Sequence, residues 1–178
     1  MPAIYQIRRT LFVASQDYVL LMARYNMWQN ESLINAATGL SQAERQAERG
    51  AFFGSIEKTF SHILWGDGVW LSRFEGRDPP ENYKTSSTAL IETWDRFQKD
   101  RAAFDQRILN WAHKVPPEWF DGDLTWYSGI SGSTVSRPKK ALSVQLFNHQ
   151  THHRGQVHAM ITAAGGRAPV TDLAFMPD

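Results

Sequence analysis

Four of the chain's six histidines lie within ten residues, at positions 149, 152, 153 and 158. The apolar residues around them recur at three- and four-residue steps, which predicts a helix with one buried face: Leu142, Leu146, Val157, Met160 and Ala164. His149 and His153 occupy the middle of this face, where core residues are expected. Residues four apart on a helix are separated by about 40° around the axis and about 6 Å along it. Two imidazoles placed in this way can converge on one divalent metal ion.

The same histidine spacing occurs in the helical zinc motif HExxH. Here the residue after His149 is Gln150, so the glutamate that acts as general base in that motif is missing. A buried imidazole without a partner is costly, and the apolar position of the pair therefore favours a metal site. Buried histidines that hold no metal are the competing interpretation.

A histidine pair leaves a metal short of ligands, and the third ligand is predicted to be His62. It lies in the middle of a predicted helix, and small residues at positions 55, 59 and 66 leave room beside it. His113 is a poorer candidate because it lies at a helix end, just before two prolines. Three histidines from two helices would leave coordination positions open, as catalytic zinc sites do.

The other polar residues near the pair are given lesser roles. We expect His152 beside the site or at the surface, and His158 facing solvent. Arg154 is expected to make a surface contact or salt bridge, with orientation of an anionic substrate as the alternative. Asp67 and Asn148 are candidates for hydrogen bonds that support the ligands.

Composition restricts the chemistry further. The 178 residues include no cysteine, so disulfides and thiolate ligands are excluded, and any metal must be held by nitrogen and oxygen. The net charge of +1 gives no electrostatic reason to bind nucleic acid or an anionic membrane. The apolar run at 11–14 is too short for a signal peptide, and no segment is long enough to span a bilayer. We expect a cytoplasmic protein with one domain over residues 1–178.

Periodicity predicts an all-α fold of four long helices, with a short β-hairpin before the last one. Arg101 lies on the apolar face of the third helix and is predicted to be paired or to extend its charged end to solvent, with an anion-binding role as the alternative. Three of the predicted long helices cover 15–37, 52–74 and 138–164. The remaining long helix has its N-cap at 85–88 and carries the apolar residues from 90 to 111. A short helix is predicted at the capping box of residues 41–44, and the two strands are predicted at 124–127 and 133–135.

The histidine-rich segment strongly resembles the last helix of DinB-family proteins: LFNHQTHHRGQVH, residues 146–158. The segment YNMWQN at 25–30 resembles their first helix, and SHILWGD at 61–67 resembles their second. The segment TDLAFMP at 171–177 resembles their closing segment. The resemblance implies an up-down-down-up four-helix bundle, often a homodimer. It also implies one zinc or nickel ion held by three histidines, which map onto His62, His149 and His153. The wider superfamily includes S-transferases that use low-molecular-weight thiols.

These observations predict a metal-dependent enzyme that acts on a small molecule, foremost a transferase using a low-molecular-weight thiol. A bound cation favours the thiolate, which is the nucleophile, and a chain without cysteine must take the thiol from a cosubstrate. The same site could instead ionise water for hydrolysis. The alternatives are a non-catalytic metal-binding protein and a helical interaction module. Trp126 and Tyr127 are expected to pack on the end of the bundle or to line a cleft beside the site.

Overall fold

The computed structural model describes residues 14–84, 86–129 and 131–178. Within these ranges the protein is predominantly helical, and an antiparallel hairpin precedes the last helix, as the sequence predicts. The elements are α1 (Gln16–Thr38), α2 (Gln42–Gln46), α3 (Ile56–Phe74), α4 (Trp94–Lys114), β1 (Asp123–Ser128), β2 (Ser133–Pro138) and α5 (Lys139–Ala163). None of the helices in these ranges combines the length and the hydrophobicity needed to cross a membrane.

Side-chain caps determine where several helices begin. The Ser15 hydroxyl accepts a hydrogen bond from the backbone N–H of Tyr18 at the start of α1. The predicted capping box is formed at α2, where Ser41 and Glu44 each bond to the backbone of the other. Beyond α5, Gly165 has a φ of +80°, a backbone conformation that glycine adopts without strain.

Two predicted helix starts are wrong. α3 begins at Ile56 rather than at 52, because Ser55 is its cap and residues 51–54 form a tight turn, closed by a 2.8 Å bond from the N–H of Gly54 to the carbonyl of Ala51. α4 begins at Trp94, capped by Thr93. The preceding segment is held away from helical geometry by Ser61 of α3.

Ser61 acts on that segment through its hydroxyl, which donates to the carbonyl of Ser87 and accepts from the N–H of Leu90, at 3.0 and 2.8 Å. These bonds join residues distant in sequence, so helical periodicity carries no sign of them. Two residues of the predicted turns and caps, Thr85 and Ile130, lie outside the described residues.

The hairpin pairs Trp126 with Val135 and extends beyond both predicted strands. Trp126 packs edge-on against Trp70 of α3, with ring centroids 5.5 Å apart, and the guanidinium of Arg73 lies over its ring. Tyr127 is 69% exposed. Of the two interpretations of this aromatic pair, packing therefore accounts for Trp126.

A layer of buried polar side chains divides the apolar core into two clusters. Along each of the four long helices the order is apolar, polar, apolar, so the polar positions fall at one level of the molecule. The layer consists of Asn26 and Asn30 on α1, Asp67 on α3, Arg101 and Asp105 on α4, and Gln150 and Arg154 on α5. Two arginines and two aspartates make it neutral overall, which limits the penalty of burying charge.

Arg101 lies at the centre of this polar layer. Its Nη1 donates to Asp67 at 2.6 Å and its Nη2 donates to Asp105 at 2.8 Å. Of the two predictions for Arg101, pairing is confirmed, and extension of the charged end to solvent is wrong. The surface prediction for Arg154 is wrong: the side chain is 4% exposed, and its guanidinium donates to the amide oxygen of Asn26 on α1.

Candidate metal centre

The three predicted histidines come together between α3 and α5. Nε2 of His62 lies 3.0 Å from Nε2 of His149. The ring centroid of His153 is 4.5 Å from that of His149 and 4.7 Å from that of His62. One nitrogen from each of the three lies within 4.8 Å of the others, a group that could hold a metal ion.

The close approach of the two helices depends on Gly66, one turn after His62 on α3. A Cβ atom at this position would lie 2.6 Å from Cε1 of His149, well inside van der Waals contact. The His149 ring therefore lies directly against the backbone of α3. Gly66 is one of the small residues that the sequence analysis expected to leave room beside His62, and that room is occupied by the His149 ring.

Burial keeps the histidines uncharged. Removal from water lowers the pKa of His62 to about 4 and that of His149 to about 3, and the neighbouring His153 contributes to both shifts. Burial also lowers the pKa of His153. Neutral imidazoles at physiological pH have the free lone pair that metal ligation requires.

Two aromatic rings pack against the imidazole of His62. The ring of Phe53, in the tight turn before α3, stacks on His62 with centroids 4.0 Å apart. The ring of Trp65 is nearly parallel to it at 5.7 Å. The turn that displaces the start of α3 thus supplies one wall of the site, a role that helical periodicity could not have predicted.

Gln156 is a site residue that the sequence did not single out. Its Oε1 lies 2.9 Å from Nδ1 of His153, and its Nε2 lies 3.3 Å from Nε2 of His152. By contrast, Nδ1 of His62 and of His149 are buried without a hydrogen-bond partner among the described residues. The signal was present as spacing, since Gln156 is three residues after His153 and four after His152 on one helix face.

The two residues proposed to support the ligands do not do so. Both carboxylate oxygens of Asp67 are engaged by Arg101 and Gln150 in the polar layer, and Asn148 is exposed. The prediction failed for Asp67 because its partners are on other helices.

The remaining histidines lie outside the group. His152 is exposed, and His113 is exposed in the last turn of α4, as expected from its position at a helix end. His158 is half-buried, with Nε2 3.1 Å from the carbonyl of Pro169, so it does not face solvent as predicted.

The three-histidine group suits a divalent ion that prefers imidazole. Zinc–nitrogen bonds of about 2.0–2.1 Å in tetrahedral geometry separate two ligand nitrogens by about 3.3 Å. The 3.0 Å between the Nε2 atoms of His62 and His149 is close to that separation.

Adding a methyl group at Gly66 is expected to weaken metal binding. Gly66→Ala forces the His149 ring away from His62, and we expect zinc affinity to fall by about 10-fold or more. Gly155→Ala on α5 is the matched control, since its Cβ would meet nothing within 4 Å; it should leave affinity unchanged and stabilise the helix by up to about 1 kcal/mol. Competition with a chromophoric chelator measures both affinities. Equal zinc affinities in the two variants would contradict the packing role of Gly66.

Comparison with known proteins identifies the family of this chain. The family model described as "DinB family" matches residues 14–178, nearly the whole chain. Protein DinB of Bacillus subtilis (strain 168) is 25% identical over 167 residues, which cover 89% of this chain and 93% of that protein. The range that the family model matches contains α3 and α5. The chain belongs to the DinB family.

Proposed function

We propose that this protein is a metal-dependent enzyme that uses a low-molecular-weight thiol to modify a small-molecule substrate. In this proposal His62, His149 and His153 hold one zinc or nickel ion. The observation that carries it is the convergence of three neutral imidazoles from two helices within 4.8 Å of one another. The chain has no cysteine of its own, so the sulfur must come from a cosubstrate.

The chemistry that a bound divalent cation supplies is stabilisation of the thiolate. The thiol loses its proton to solvent, and its sulfur then bonds to an electrophilic carbon of the substrate. The group displaced from that carbon leaves with the bonding electrons and takes up a proton from solvent. The three histidines would contribute neutral donors, so the positive charge of the cation would not be reduced by ligand carboxylates. The rings of Phe53 and Trp65 pack against His62 and restrict its orientation.

An open site supports catalysis over a purely structural metal. Structural zinc sites are closed by four protein ligands, whereas catalytic sites have three and an exchangeable position. The described residues bring together three histidines, and His62 and His149 are half-buried rather than sealed. Non-catalytic metal binding is the competing function, and a helical interaction module without metal is the remaining one.

A cobalt-substituted protein tests the thiol proposal. Adding 2-mercaptoethanol should produce a sulfur-to-metal charge-transfer band in the near ultraviolet, because the thiolate enters an open coordination position. Ethanol at the same concentration should produce none. Cobalt that binds to the protein but gives no new band with thiol would reject the transferase proposal and favour the non-catalytic one.

The broader organisation is proposed on the same basis. The four long helices would form an up-down-down-up bundle in one domain over residues 1–178, assembled as a homodimer in the cytoplasm. Family membership supports the bundle and the dimer, and the near-neutral charge supports a small-molecule substrate over nucleic acid or membrane. Light scattering during gel filtration tests the dimer, with a monomeric mass rejecting it.

A further inference from the structure

The three site histidines differ in what their outer ring nitrogen contacts. Nδ1 of His153 lies 2.9 Å from Oε1 of Gln156, whereas Nδ1 of His62 and of His149 have no partner among the described residues. The amide nitrogen of Gln156 lies 3.3 Å from Nε2 of His152. One carboxamide therefore bridges a buried site histidine and an exposed neighbour.

The chemistry of the carboxamide determines where the proton of His153 lies. An amide oxygen accepts hydrogen bonds and an amide nitrogen donates them. With Oε1 facing His153, the proton must be on Nδ1, which leaves the lone pair on Nε2 for a metal. The same orientation directs the amide nitrogen of Gln156 to Nε2 of His152, which accepts. The flipped amide would donate to Nδ1 of His153 and force the proton onto Nε2, where it would block ligation.

We propose that Gln156 is a positioning residue that holds His153 in its Nδ1-protonated tautomer, with Nε2 free to bind the metal. This inference rests on the proposed metal site. The neighbouring pair differs, because Nε2 of His62 faces Nε2 of His149 at 3.0 Å. Without metal, one of those two atoms carries a proton and donates to the other. His153 is the ligand whose tautomer is set in advance.

Imidazole nitrogen NMR on the metal-free protein tests the tautomer at mildly alkaline pH. Native His153 should be protonated on Nδ1. Gln156→Ala should shift it toward the Nε2-protonated form that neutral histidine prefers in water, and Gln156→Glu should restore the native tautomer because a carboxylate also accepts. Gln145→Ala, at an exposed glutamine of the same helix, is the matched control and should change nothing.

Zinc affinity provides the second measurement. We expect Gln156→Ala to bind zinc about 10- to 100-fold more weakly, the usual effect of removing a hydrogen bond to a ligating histidine. Gln156→Glu should recover most of that loss, which a merely structural role would not predict. An Nε2-protonated His153 in the native protein, or equal affinities for Gln156→Ala and Gln145→Ala, would overturn the inference alone. A native chain that takes up no zinc would overturn the metal site and this role together.

Discussion

Replacing Arg101 with methionine is expected to destabilise the protein by about 3–5 kcal/mol, the cost of breaking a buried ion pair from one side. Arg101 is 1% exposed and is bonded to both Asp67 and Asp105, which are themselves 0% and 3% exposed. Methionine preserves much of the side-chain length but leaves two buried carboxylates without their shared cation. Urea unfolding followed by circular dichroism measures the change.

Arg96→Met on the same helix is the matched control. Arg96 pairs with Asp100 one turn away, but the two side chains are 67% and 45% exposed. Pairs of this kind contribute about 0.3–0.5 kcal/mol, so this variant should be nearly as stable as the native protein. If Arg101→Met costs no more than Arg96→Met, the polar layer is not what joins the four helices.

The cost of Arg101→Met should also depend on pH. Burial raises the pKa of Asp105 to about 6 in the native protein, and it raises the pKa of Asp67, although Arg101 opposes both shifts. Removing Arg101 raises both further, whereas an unfolded aspartate titrates near pH 3.9. Between the native and the variant pKa values, the folded variant binds more protons than the folded native protein, so the stability difference between the two narrows as pH falls. The cost should therefore be largest at neutral pH and smaller near pH 4; a cost that grows with acidity would contradict this assignment.

Replacing any one of the three site histidines with alanine is expected to abolish zinc-dependent stabilisation. A ligand present at 100 times its dissociation constant stabilises the folded state by about 2.7 kcal/mol, which corresponds to a rise in Tm of roughly 5–10 °C for a chain of this size. The native protein should show such a rise on adding zinc. His62→Ala, His149→Ala and His153→Ala should not, because two imidazoles bind zinc much more weakly than three.

His152→Ala is the control for this series. It removes an exposed imidazole next to His153, so the local histidine density falls while the three converging side chains remain. Most of the zinc-dependent rise in Tm should persist. A rise lost equally in His152→Ala and His149→Ala would assign the metal to the exposed face of α5 instead.

Helical periodicity was sufficient to place the site histidines. His149 and His153 interrupt an apolar row at the spacing of one turn, and His62 lies among small residues on another helix. These are local patterns, and the structure brings the three side chains together. That they bind a metal stays a prediction until it is measured.

Two of the errors share one physical cause, which is a partner distant in the chain. The surface prediction for Arg154 is wrong because its partner is Asn26, 128 residues earlier. α4 begins later than predicted because Ser61 makes hydrogen bonds to the backbone of the preceding segment. Residue type alone does not identify Gln156 as a site residue, because its contact with His153 depends on the orientation of its side-chain amide.

The metal content of the chain tests the central claim most directly. The protein should be purified without chelators or a histidine tag, dialysed against zinc and then against buffer, and analysed by mass spectrometry of the elements alongside His149→Ala. We predict one equivalent of zinc per native chain and none in the variant. A native chain that contains no metal and takes up none from solution would contradict the account, leaving a helical protein with three adjacent histidines and no ion between them.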